Sequence, residues 1–376
     1  MATVREVTGW LEAAYPPHLA EDWDRVGLAV GDPDAEVTHV HFAVDITDAV
    51  IAEAAEVGAQ LLVTHHPLLL RGVHAVRTDQ PKGRLVAALL RGGIAQFAAH
   101  TNADSAPEGV AEALASACGL KDQRPLRPVP TAPLDKVVTF VPTADAEDVI
   151  DALAAAGAGA IGDYDRCAFT ATGTGTFRPL AGANPTIGSV GAVEHVEEVR
   201  IEMVLPRARR AAVLAALRSA HPYEEPAFDV VELAAEASAN GLGRIGRLAE
   251  PLTAREFARR VAAAVPETAG GVKLGGDPER LLRDVAVVGG AGDSMLDAVR
   301  AAGVDAYVTG DLRHHVAQDF LAHDDAPVLV DVPHWAAEWT WLPLAQRVLD
   351  RAAADAGVRV RSTVSRIVTD PWGERH

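Results

Sequence analysis

The sequence predicts an α/β protein: two pseudo-symmetric α/β lobes forming one metal-binding domain, interrupted by a ferredoxin-like (βαββαβ) insert. Three observations predict it. Apolar strands alternate with amphipathic helices towards both ends of the chain, the order that builds a largely parallel sheet. One strand–helix–strand pattern occurs twice: residues 40–44, Gly58 and Leu62-Val63-Thr64 meet residues 285–289, Gly303 and Tyr307-Val308-Thr309 at a constant offset of 245. Between the copies lie about 110 residues with a strand and helix order of their own.

The elements follow in order. Residues 3–20 carry Val4, Val7, Leu11 and Ala14 at helical spacing. Residues 21–31 are a polar turn running into a short strand, and 37–44 a strand. Residues 48–57 form a helix with Gly58 as its left-handed stop. A strand at 61–64, a helix at 83–91 ending on Gly92-Gly93, a strand at 94–98 and a helix at 107–118 complete the first lobe. Residues 121–133 read as a linker from their proline and charge. Then come a strand at 137–141, a helix at 146–156, a Thr/Gly-rich hairpin arm at 167–177, a strand at 196–205, a helix at 207–219 and a strand at 227–233. Residues 234–246, small and polar, read as a second linker. The domains expected are therefore 1–125, the insert 126–240, and 241–376.

Bulk properties narrow the function. A chain of 376 residues exceeds one ordinary core, and 49% hydrophobic with 23% charged residues is ordinary for a soluble globular protein. Two cysteines, Cys118 and Cys167, lie far apart and form no CxxC, which suits a reducing cytoplasm. Residues 1–5 lead into a mixed polar segment, so a signal peptide is not expected. No apolar run approaches the roughly 20 residues of a membrane span. A net charge of −18 argues against general nucleic-acid binding, yet leaves room for a nucleotide at a metal site.

The chemistry gathers where strands end. His65 and His66 follow one strand, His100 and Asp104 another, and His334 and Glu338 a third. A histidine followed by a carboxylate at i+4 occurs twice, and one helical turn puts both side chains on one face. Adjacent histidines at a strand end suit a metal pair or a bend. With Asp104, His334 and Glu338 at matching positions, His65 and His66 read as metal ligands. His100 either ligates or stands behind a carboxylate ligand, and the second place is the expected one. Imidazole and carboxylate without thiolate point to Zn²⁺, Fe²⁺ or Mn²⁺. Five or six ligands suit two divalent ions about 3.5–4 Å apart, bridged by Asp104, Glu338 or water. A single structural zinc is the sparser alternative.

Other motifs weigh less. Asp45, Asp48 and Asp293 follow strands and read first as helix caps, second as groups behind the ligands or substrate contacts. Gly289-Gly290-Ala-Gly292-Asp293 resembles a phosphate-binding turn, although a tight strand-to-helix turn explains it as well. His314 and His315 face either substrate or solvent. The turn His221-Pro-Tyr-Glu-Glu-Pro226 reads as a structural edge of the small sheet, with ligand binding as its alternative. Trp335, Trp339 and Trp341 pack the wall of the site or a subunit interface.

Together, Trp23-Asp24-Arg-Val-Gly27-Leu28, Val63-Thr-His65-His66-Pro67-Leu68, His100-Thr101-Asn102-Ala-Asp104, Thr309-Gly310-Asp311 and His334-Trp-Ala-Ala-Glu338 resemble the dinuclear metal-centre proteins known as GTP cyclohydrolase 1 type 2 homologues. His221-Pro-Tyr-Glu-Glu-Pro-Ala-Phe-Asp229 resembles the mark of longer members, which carry a PII-like or CutA-like insert. Arg25 departs from the Asn of the Trp-Asp-Asn turn, and His74 and His314 add imidazoles outside the pattern. The resemblance implies two metals held by His65, His66, Asp104, His334 and Glu338, and a toroidal homohexamer. It makes ring-opening hydrolysis of a guanine nucleotide the leading activity. The two-metal reading itself offers a metal-bridging hydroxide as nucleophile, with His100 or a nearby histidine shuttling protons. The alternative is a non-catalytic metal-binding or regulatory assembly whose insert senses a small ligand.

Overall fold

The computed structural model describes residues 1–235 and 238–376, and divides into two compact units, Met1–Val129 with Ser238–His376, and Pro130–Ala237. Among the described residues the first unit holds two large sheets and a two-stranded ribbon of Ala2–Thr3 with Glu36–Val37. One is five-stranded, in the order Arg361–Val364, His39–Ala43, Leu61–Thr64, Ala95–Ala98, Gly27–Val30, with the first four parallel. The other is six-stranded, in the order Lys273–Gly275, Val328–Asp331, Ala306–Gly310, Leu281–Ala291, Gly241–Thr253, Leu120–Pro128, with parallel pairing between Val328–Asp331, Ala306–Gly310 and Leu281–Ala291. His39–Ala43, Leu61–Thr64, Ala95–Ala98 and Ala306–Gly310 are buried throughout, as parallel strands covered on both faces must be.

The repeat extends to hydrogen-bond register. Val40 pairs with Leu61 and Phe42 with Val63; at the same offset of 245, Val285 pairs with Ala306 and Val287 with Val308. Each copy also begins alike. Thr3 and Glu6 make a capping box on helix Val4–Ala14, and Thr253 and Glu256 make one on helix Ala254–Ala264. That second likeness, Thr-Val-Arg-Glu against Thr-Ala-Arg-Glu, is visible in the chain once the structure points to it.

The copies exchange strands. Leu120–Pro128, expected as a linker, is the edge strand of the six-stranded sheet. An edge position tolerates Pro125 and the charged residues that suggested a linker. In return, the C-terminal Arg361–Val364 lies beside His39–Ala43 in the five-stranded sheet. The expected second linker at 234–246 becomes strand from Gly241 onward, while Glu236 and Ala237 lie outside the described residues. The first helix stops at Ala14, two residues before Pro16, and the helix expected at 107–118 runs Val110–Ala117 behind a separate turn, Thr101–Ser105. Among the described residues no helix is long and apolar enough to cross a membrane.

The inserted unit is a four-stranded antiparallel sheet in the order Phe228–Glu232, Leu134–Pro142, Glu194–Pro206, Phe169–Phe177. Helices Ala146–Ala155 and Arg210–Ala220 pack on one face through Val149, Leu153, Val213 and Leu217. With the strands numbered along the unit, that order is fourth, first, third, second, the ferredoxin-like arrangement. In the first unit, the Val129 amide donates to the Asn240 carbonyl at 2.9 Å, so the chain departs and returns at neighbouring points. Such an opening accepts an inserted domain without disturbing the host sheet.

Candidate metal centre

His65 and His66 leave the buried end of Leu61–Thr64, the amide of His65 still bonded to Ala43 and that of His66 to Val44. His100 precedes and Asp104 lies within the turn Thr101–Ser105 after Ala95–Ala98, and helix His334–Trp339 places His334 and Glu338 one turn apart. The parallel strands of both sheets thus bring all six side chains together at their carboxyl ends.

Glu338 is the centre of the cluster. Its Oε1 lies 2.8 Å from His334 Nε2 and 3.3 Å from His65 Nε2, and its Oε2 lies 3.1 Å from His66 Nε2. His66 and His334 approach to 3.3 Å between their Nε2 atoms, and Asp104 Oδ1 stands 3.8 Å from His65 Nε2. Among the described residues two groups have the spacing to hold a metal: His65, His66 and His100, and His66, His334 and Glu338. His100, for which a place behind a carboxylate ligand was expected, belongs to the first of these groups.

Every imidazole is held from behind. His65 Nδ1 donates to the Ala99 carbonyl at 2.9 Å. His66 Nδ1 donates to Asp45 at 2.7 Å, His100 Nδ1 to Asp24 at 2.9 Å and His334 Nδ1 to Asp311 at 2.8 Å. A proton fixed on Nδ1 leaves a lone pair on Nε2, so four Nε2 atoms face one another, the arrangement in which outer carboxylates orient histidine ligands. Asp24 and Asp311 had no assigned role in the sequence, because a lone Asp after a turn resembles any cap. The one available signal was positional: at the repeat offset Asp311 occupies the place of His66. Asp45 stands behind an imidazole of the cluster, that of His66. Asp48 instead pairs with Arg84, and Thr47 caps the helix that follows.

The electrostatics demand positive charge at this point. Burial disfavours a charged His66, but Glu338 and Asp45 outweigh burial and push its imidazole up to about 11. His334 rises to about 9, where Glu338 again overcomes burial. Burial would raise Glu338, yet the surrounding imidazoles hold its carboxyl well below the usual range. Burial pushes Asp104 up to about 7.

A metal fits these residues on three counts. His65 Nε2, Asp104 Oδ1 and Glu338 Oε2 are buried without a hydrogen-bond partner, which is costly unless something else binds them. The donor set is imidazole and carboxylate, suited to borderline divalent metals. The backbone has also been cleared: a Cβ on Gly290, at φ +64°, would lie 2.4 Å from Glu338 Oε1 and 3.2 Å from His334 Nε2. The glycine run 289–292 is thus a close approach to the cluster, where a phosphate turn was one expectation. Gly290→Ala is expected to lose more than half of the bound metal while costing about 1–2 kcal/mol of stability for its left-handed backbone. Elemental analysis beside thermal unfolding checks this, and full metal content would mean that Glu338 moves freely.

Trp341, fully buried, packs edge-on to His65 at 5.6 Å and donates to the Tyr15 hydroxyl at 3.2 Å, so the tryptophan wall is packing. His74, His314 and His315 are exposed and belong to neither donor group.

Two pseudo-symmetric α/β lobes and a histidine–carboxylate cluster at their strand ends define the class: an α/β protein with a candidate metal centre and a ferredoxin-like insert. The chain belongs to the Duf34/NIF3 (NGG1p interacting factor 3) family, whose model matches residues 2–371. It is 52% identical over 372 residues to the GTP cyclohydrolase 1 type 2 homolog of Mycobacterium tuberculosis, covering 99% of this chain and 97% of that protein. The Bacillus subtilis homolog is 40% identical over 317 residues, 84% of each chain. Among solved structures, Staphylococcus aureus protein SA1388 matches with TM-score 0.82 at 28% identity, over 99% of this chain and 98% of that one. A Bacillus cereus protein related to NIF3 matches with TM-score 0.71 at 37% identity, over the same shares.

Proposed function

We propose that this chain is a metal-dependent hydrolase acting on a nucleotide-like substrate, with two divalent ions (Zn, Fe or Mn) held by His65, His66, Asp104, His334 and Glu338. The observation that carries it is the cluster of buried ligand atoms left without partners around Glu338. Bound there, divalent ions supply Lewis acidity and lower the pKa of water. The chain's own groups do the rest. Glu338, touching three imidazoles with its two oxygens, offsets positive charge from both sides of the cluster. His100, its Nδ1 proton fixed by Asp24, presents Nε2 to take up a proton from the attacking water and return it to the leaving group. Asp24 suits that role: burial would raise it, but hydrogen bonds from His100 and Thr101 keep it ionised and able to stabilise an imidazolium. Support for a planar heterocycle comes from Trp23, 56% exposed and edge-on to His100 at 5.8 Å, an aromatic surface beside the reacting groups. The relatives' name, GTP cyclohydrolase 1 type 2 homolog, makes GTP the first substrate to try. A cytoplasmic toroidal homohexamer, implied by the family resemblance, belongs to the same proposal.

The test is metal content per subunit on protein purified without added metal, for wild type and His65→Ala, with native mass giving the subunit count. About two equivalents are expected, falling below one in the variant, with hydrolysis of GTP or another nucleotide by the wild type alone. One equivalent or none, unaffected by the substitution, would end the metal assignment. Two equivalents without turnover of any nucleotide would end the hydrolase assignment alone.

A further inference from the structure

The inserted unit contains a cavity of about 640 Å³, a volume in the range of small-molecule sites. It lies on the sheet face away from the helices. Val199, Ile201, Met203 and Leu205 of Glu194–Pro206 pack in the helix-side core, so Glu198 and Arg200 project to the other side. The sequence of Phe169–Phe177 explains the space above them. Ala171 pairs with Arg200 and Gly173 with Glu198, so Ala171, Gly173 and Gly175 share this face and leave a trough where side chains would stand. Glu198 runs across that trough, since a Cβ on Gly175 would meet its Oε2 at 2.0 Å.

The turn at 221–226 supplies a wall. His221 Nε2 donates to the Phe140 carbonyl at 2.9 Å, its Nδ1 accepts the Tyr223 amide at 3.1 Å, and the Tyr223 hydroxyl donates to Glu198 Oε1 at 2.8 Å. The Thr186 hydroxyl donates to the Pro222 carbonyl at 2.7 Å and the Asn184 amide to Glu224 Oε2 at 2.9 Å, tying the facing loop to the same turn. His221 thus ties the turn to the sheet, while Tyr223, Glu224 and Glu225 line the cavity. What they hold open is a chamber.

Glu198 and Arg200, which line it together with Arg178, Glu224 and Glu225, stand two residues apart without an ion pair between them. Glu198 is only 8% exposed. Arg200 bonds Glu202 through Nε at 2.9 Å and stands 5.9 Å from the Phe140 ring, and among the described residues its other nitrogens have no hydrogen-bond partner. Phe140, Phe177, Pro185 and Ile187 make the remaining walls largely apolar. We propose that this chamber binds a free apolar α-amino acid, its ammonium on Glu198, its carboxylate on Arg200 and its side chain against Phe140 and Ile187. A plain anion would meet Glu198, Glu224 and Glu225; a plain cation would meet Arg178 and leave the Arg200 nitrogens not taken by Glu202 unsatisfied. A zwitterion answers both charges at once.

The test is calorimetric titration of the full chain with L-phenylalanine and L-leucine. Binding at one site per chain is expected, with 3-phenylpropionate and phenethylamine, each lacking one charge, weaker by about tenfold or more. Arg200→Gln should weaken the amino acids by a similar factor. Gly173→Val is the decisive variant, because a Cβ there meets nothing within 4 Å and the backbone is not left-handed, so the strand accepts it while the valine occupies the trough. It should abolish binding with metal content and unfolding temperature unchanged. Three results would overturn the proposal: no heat from either amino acid up to about 10 mM, binding undiminished in Gly173→Val, or one-charge analogues binding as tightly as the zwitterions. The chamber is built within the inserted unit, so its fate is independent of the metal assignment.

Discussion

Glu338→Gln is expected to strip the metal from the centre and, with it, any hydrolytic activity, while leaving the fold intact. Glutamine has the same shape, so the packing of a residue only 3% exposed is preserved. Its amide offers a single oxygen, whereas Glu338 brings one oxygen to His65 and His334 and the other to His66. The nitrogen end would point donor hydrogens where a cation belongs. Loss of the charge also removes what keeps positive charge favourable between His66 and His334. Metal affinity should fall by more than about 100-fold, beyond the range of groups that only orient a ligand. Asp311→Asn, which touches His334 from behind, should stay within about 10–100-fold. Metal titrations of both variants decide the matter; a Glu338→Gln protein that kept its full metal content would show that Glu338 is not the bridge.

Arg244→Met should produce the largest loss of stability. Arg244 is 2% exposed and its guanidinium donates to three carbonyls, from Gly241 at 2.7 Å, Gly243 at 3.0 Å and Ala106 at 2.8 Å. Ala106 directly follows the turn that carries Asp104, so this one side chain ties a ligand of the first copy to a strand of the second. Methionine fills the volume and donates nothing. Removing one partner from a buried charged network costs about 3–5 kcal/mol, and lysine, lacking the planar fork, should restore little of it. Denaturant unfolding measures the loss. A change below about 1 kcal/mol, the worth of one ordinary hydrogen bond, would mean that water replaces the guanidinium.

The repeat and the histidine–carboxylate cluster were legible because each is local: a strand, then a histidine, then a carboxylate at helical spacing. The agreement extends to Val40 with Leu61 and Val285 with Ala306, paired at the offset read from the sequence. What the sequence concealed are the long-range partners. Asp24 and Asp311 hold imidazoles 76 and 23 residues away, and neither has a local pattern to distinguish it from a cap. Leu120–Pro128 carries prolines and charges that deny a central strand, and only its place at a sheet edge makes it a strand at all. Gly290 looked like a phosphate turn because a left-handed glycine is needed wherever backbone approaches closely, whatever it approaches.

The exchange of strands between the copies also sets a timetable for biosynthesis. His66 and His334 meet although 268 residues separate them, and the strand that flanks His39–Ala43 is made of residues 361–364. At ribosomal rates of about 5–20 residues per second, the first histidines wait roughly a quarter to one minute for their partners to be made. Throughout that interval the nascent chain holds half a binding site beside an open sheet edge. A product truncated before residue 334 would lack His334 and Glu338, and of the two donor groups only His65, His66 and His100 would remain to it.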